Sequence, residues 1–88
     1  MLQKYVTRQV RFIVEGNSGG LKYPELYILL VERARLHKVI GRVTQREVHA
    51  QIARAIEDIA GLILVEYEDR KLDRTVLVNS FVCWERRN

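Results

Sequence analysis

Residues 44–60 read TQREVHAQIARAIEDIA and are followed by Gly61. Thr44 and Glu47 have the spacing of a capping box. The threonine hydroxyl accepts from the backbone N–H of Glu47, and the carboxylate reaches back to the N–H of Thr44. Val48, Ile52, Ala55, Ile56 and Ile59 recur at the interval that gathers them on one face of a helix. Gly61 suits the left-handed conformation that commonly follows a helix. The spacing therefore predicts a capped helix over 44–60. The rest of the chain is placed around it, with a basic turn before and a hairpin after.

Downstream lie LILVEYE, DRKLDR and TVLVNSFVCW. The outer segments are rich in β-branched and aromatic residues and the middle is charged, which predicts a hairpin with a polar tip at 69–73. The return strand either continues through Val82 and Trp84 or breaks at 79–80. Upstream, Pro24 suits the first turn of a helix, where a missing N–H costs nothing. That helix continues through ELYILLVERARLHK. Residues 26–31 are apolar around the whole circumference, as expected of a segment covered by the core and by a partner subunit. Arg33, Arg35 and Lys38 then suit the negative end of the helix dipole. VIGRV, 39–43, is a short link that bends at Gly41. EGNSGGLK, 15–22, reads as a loop. In YVTRQVRFIV, 5–14, β-branched content and a period of two favour a strand. Leu2, Val6, Val10 and Ile13 also fit a helical stripe, so a helix is the rival reading.

The chain has 88 residues, enough for one domain with a modest core. Residues 1–22 are expected to extend that domain and to serve in dimerisation. A hydrophobic content of 48% argues against disorder. The lone cysteine, Cys83, excludes an internal disulfide framework and fits a reducing compartment. No apolar run reaches the ~20 residues of a membrane helix. Lys4, Arg8 and Arg11 interrupt the N-terminal apolar stretch, unlike a signal peptide. A cytoplasmic protein is expected.

The formal charge is +4. Residues 1–43 hold eight Lys/Arg against three Asp/Glu, and 44–88 hold seven against eight, so the excess lies in the first half. The densest run is RARLHKVIGRVTQR, 33–46, with five cations and no acid. It ends in the first turn of the capped helix, where free backbone N–H groups and the positive end of the dipole favour phosphate. Arg42 and Arg46 stand there, and guanidinium matches phosphate with paired hydrogen bonds. Clustered cations of this kind steer polyanions. Solvated surface charge is the alternative.

Enzymatic readings find little support. His37, His49 and Cys83 lack the spacing of a metal site, and Cys83 reads as a core thiol. Glu57 and Asp58 are neighbours on a helix and diverge, so they form no catalytic pair. No glycine motif cradles a phosphate, and no cofactor is expected. Most of the aromatic residues Tyr5, Phe12, Tyr67, Phe81 and Trp84 are expected in the core.

The segment ARAIEDIAGLILVEYEDRKLDRTVLVNS resembles the end of a winged helix-turn-helix domain, in the style of MarR-like regulators. Gly61-Leu62-Ile63 matches the exit from a recognition helix. Asp73-Arg74 followed by Val76-Leu77-Val78 matches a wing tip and its return strand. The likeness covers about a third of the chain. It implies a small winged-helix-like α+β domain of two main helices and a β-hairpin, with an N-terminal strand or helix. It further implies a homodimeric transcriptional regulator of double-stranded DNA. Residues 44–60 would then enter the major groove, with Gln45, Arg46 and His49 at base edges and Thr44 at the helix start. Ala50 and Ala53 would permit close approach. Arg35, Lys38 and Arg42 would hold phosphates. Arg70, Lys71 and Arg74 on the wing, 62–78, would reach flanking backbone.

Two alternatives stand beside this reading. One is a homo-oligomeric protein-interaction module whose charges serve solubility. The other rests on the order strand, helix, turn, helix, hairpin, which is similar to the KH RNA-binding module. Val39-Ile40-Gly41-Arg42 would then begin its Gly-x-x-Gly loop.

Overall fold

The computed structural model describes residues 1–65 and 80–85. Three helices and three strands follow in the order α1 (Gln3–Glu15), β1 (Leu21–Lys22), α2 (Tyr23–Leu36), α3 (Gln45–Asp58), β2 (Leu62–Val65) and β3 (Phe81–Trp84). The sheet is antiparallel in the order β1-β3-β2. This is a small winged-helix-like α+β domain. The expected wing tip and its Arg70, Lys71 and Arg74 lie outside the described residues. Among the described residues no helix is long and apolar enough to cross a membrane.

The favoured strand over 5–14 is a helix. Val6, Val10, Ile13 and Val14 form a stripe at helical spacing, and all four are buried. Alternation along the same residues is real but incidental. The burial demanded by α2 and α3, both of which α1 packs against, decides the outcome. A chain opening on a helix also departs from the strand-first order of the KH reading. Leu26 and Leu30 of α2 and Val48, Ile52, Ala55 and Ile56 of α3 complete the helical part of the core.

The α1–α2 seam is antiparallel and has polar contacts at its edge. Tyr5 Oη lies 2.6 Å from His37 Nδ1. Arg33 Nε donates to the buried Gln9 Oε1. The Arg33 guanidinium also stands 4.5 Å from the centre of the Phe12 ring. Phe12 is 59% exposed, against the expectation of a core aromatic. At the α1–α3 contact, Gln3 Nε2 donates to the Gln51 carbonyl and Gln51 Nε2 donates to the Met1 carbonyl.

Strand β1 stands where the sequence reads as loop. Its two residues pair with β3, Leu21 opposite Val82 and Lys22 opposite Phe81. β2 runs along the other side of β3, with Leu62 opposite Trp84, Ile63 opposite Cys83 and Leu64 opposite Val82. Leu21, Leu62 and Val82 enter the core, and Leu64 and Trp84 pack against it. Cys83 alternates with Val82 and faces the other way, partly exposed beside Ile63. The expected core thiol therefore lies on the outer face of the sheet, because period-two alternation takes every second residue out.

Gly20 leads into β1 at φ +87°. A Cβ there would meet the Val82 carbonyl oxygen and Phe81 Cε1 at 2.5 Å and Cys83 Cβ at 2.7 Å. Only glycine allows this backbone to lie so close to β3. Gly61, after α3, has φ +84° but more room, with the Trp84 indole 3.8 Å from an added Cβ. Replacing Gly20 with alanine is expected to cost about 2–4 kcal/mol, from the left-handed backbone and the displaced strand. At Gly19 nothing lies within 4 Å of an added Cβ, and alanine there is expected to change stability by under ~0.5 kcal/mol. Urea midpoints of the two variants test the contrast.

Candidate nucleic-acid interface

The site is built from the end of α2, the connection over 37–44 and the start of α3. Helix α2 ends in a Schellman arrangement. The Lys38 N–H donates to the Arg35 carbonyl at 3.1 Å, and the Val39 N–H donates to the Ala34 carbonyl at 3.0 Å. The residue that such an ending places in the left-handed region is usually glycine, and here it is Lys38, at φ +58°. A side chain costs roughly 1–2 kcal/mol in that conformation. The pattern of residues gives no warning of this, since lysine is an unusual choice for the position. Gly41 supplies the second left-handed residue, φ +59°, where the link was expected to bend.

Helix α3 begins with one half of the expected capping box; among the described residues the reciprocal bond from the Thr44 N–H to the Glu47 carboxylate does not form. Thr44 has extended backbone, φ −80° and ψ 156°, and its hydroxyl accepts from the Glu47 N–H at 3.2 Å. The helix ends at Asp58 with Ile59 as its cap, two residues short of the expected limit. Gln45 and Arg46 are exposed in its first turn, and Ala50 and Ala53 are exposed farther along. Arg35, Lys38 and Arg42 are exposed as well. Among the described residues no ion pair engages any of these cations. The segment thus presents uncompensated cations on both sides of a two-helix bend. A phosphate arriving here would meet guanidinium and ammonium donors without first displacing a carboxylate.

His49 is held differently from the other named residues. Its ring is half-buried and stacks on Tyr27, with centroids 4.6 Å apart. Tyr23 stands on the same ring at 5.7 Å, and the Tyr23 hydroxyl lies 2.8 Å from Nδ1. Burial lowers the imidazole pKa from its ordinary 6.5, so the neutral ring accepts the Tyr23 proton at Nδ1. Burial raises the Tyr23 phenol to about 12, with the Tyr27 hydroxyl adding to the effect. Tyr23 therefore stays a donor at any physiological pH. His49 ties α3 to α2 as much as it faces outward. The two tyrosines are the site residues that the sequence does not announce. They stand 26 and 22 positions away, and only their spacing of four on the other helix hints at a shared face.

The pH dependence follows from the lowered imidazole pKa. Well above 6.5 the ring is neutral whether the chain is folded or not and contributes nothing. As pH falls through that value the unfolded chain binds the proton first, so stability drops until the folded value is passed. Wild-type protein is expected to lose urea midpoint between about pH 7.5 and 5.5, and His49→Gln to lose less. Equal losses would show that another group carries the effect.

Comparison of the chain with known protein families, with curated proteins and with solved structures finds no match, so the functional reading stands on the geometry above.

Proposed function

We propose that this protein binds double-stranded DNA and acts as a cytoplasmic, homodimeric transcriptional regulator, using α3 as its recognition helix. The observation that carries this reading is the bend between α2 and α3. It offers Arg35, Lys38, Arg42 and Arg46 exposed and without ion pairs among the described residues, along the stretch that leads into a capped helix N-terminus. The left-handed Lys38 adds support. Glycine would serve the fold better there, so a lysine is best explained by what its ammonium does. In this reading Arg35, Lys38 and Arg42 hold phosphates and fix register, while Gln45 and Arg46 contact base edges. His49 supports the helix from behind and offers its remaining nitrogen to the groove. Arg70, Lys71 and Arg74 extend the footprint to the flanking backbone. No catalytic role is assigned.

A homo-oligomeric interaction module without affinity for nucleic acid is the second reading. It is favoured by the exposure of Ile28 and Leu36 on α2, at 54% and 75%.

Affinity for mixed-sequence duplex DNA, measured against salt concentration, separates the two. Counterion release predicts a log–log slope that becomes shallower by about 0.9 for each phosphate that the protein no longer neutralises. Arg42→Ala is expected to show one such step. Lys38→Gly is expected to show the same step while raising stability by about 1 kcal/mol, since it relieves the left-handed backbone. Absence of binding at low salt removes the DNA reading. A stabilised Lys38→Gly with unchanged slope removes Lys38 from the interface.

A further inference from the structure

Four residues on one wall of a surface cleft repeat their chemistry in reverse. Leu29, Glu32, Arg33 and Leu36 of α2 face Phe12 and its neighbours on α1 across a shallow cleft of about 380 Å³. Leu29, Leu36 and Phe12 are 37%, 75% and 59% exposed, and all three border the same cleft. Glu32 is exposed and forms no ion pair among the described residues. Arg33 is held in place by its bond to Gln9 and by the Phe12 ring below it. Those contacts use Nε and the face of the guanidinium, and leave its outer nitrogens to donate.

The order apolar, acid, base, apolar is complementary to itself when reversed about the midpoint between Glu32 and Arg33. We propose that a second copy of this chain covers the cleft, its α2 packed antiparallel to the first across a two-fold axis through that midpoint. Leu29 then meets the partner's Leu36, and Glu32 meets the partner's Arg33, each contact occurring twice, as an isologous interface requires. A parallel arrangement would set Glu32 against Glu32 and leave both arginines uncompensated. An unrelated partner would need the same alternation on its own surface. This names the surface for the homodimer of the proposed function and rests on that part of it alone.

The test needs no DNA. Sedimentation of the wild-type chain over a range of concentrations is expected to show a dimer. Glu32→Arg, at an exposed position, is expected to weaken it about tenfold or more by opposing like charges. In a Cys83→Ser background, Leu29→Cys combined with Leu36→Cys is expected to cross-link under mild oxidation. The two positions lie about 10 Å apart along one helix, too far to bridge within a chain. Each single cysteine is expected to stay uncross-linked. A monomer at every concentration overturns both the interface and the homodimer. A dimer unmoved by Glu32→Arg, or single cysteines that cross-link as well as the pair, overturns this interface and leaves a dimer built elsewhere. Neither result bears on DNA affinity of the single domain.

Discussion

The domain depends on the burial of the α1 valines against α2 and α3. Val6, Val10 and Val14 are completely buried, and each side chain of this kind contributes about 1.5–3 kcal/mol when removed from water. They also complete the cover over Leu26 and Leu30 on α2 and over Ile52 on α3. Apolar contact alone has little direction. Direction along the α1–α2 seam comes from its polar edge, where Tyr5 meets His37 and Gln9 meets Arg33. Sliding one helix past the other by a turn would break both contacts and leave the buried Gln9 amide oxygen without its donor.

Tyr23 carries the order of the core to the surface. Its backbone N–H donates to the Ser80 carbonyl just before β3, its ring is buried, and its hydroxyl reaches the imidazole on α3. One residue thereby relates the sheet, α2 and α3. The exposed cations of the bend project from elements that are fixed in this way. In the proposed DNA-binding role such rigidity would help, because less freedom is lost on contact.

Much of this was legible in the residues, and the remainder was not for physical reasons. The capped α3 announces itself because the capping box, the apolar stripe and Gly61 all act locally. The cationic bend is legible because charge needs no folded partner to be recognised. α1 is ambiguous because valines four apart satisfy both a helix and an approximate alternation; the packing of two other helices resolves it. β1 is invisible because two residues become a strand only when β3, sixty positions away, pairs with them. The stringent need for Gly20 comes from that same distant neighbour. The Tyr23–His49–Tyr27 stack depends on how α2 crosses α3, which periodicity within either helix does not specify. The left-handed Lys38 runs against residue preference, so reasoning from preference passes over it.

Trp84 is the sole tryptophan of the chain, and it packs against the core from β3, opposite Leu62. Its fluorescence therefore has a single origin, inside the hairpin sheet. Circular dichroism at helical wavelengths is dominated by α1, α2 and α3 instead. The two signals divide the molecule into halves that can be watched separately during melting. Coincident transitions would mark sheet and helices as one cooperative unit, and a lag between them would mark the sheet as a piece that detaches from an intact helical trio.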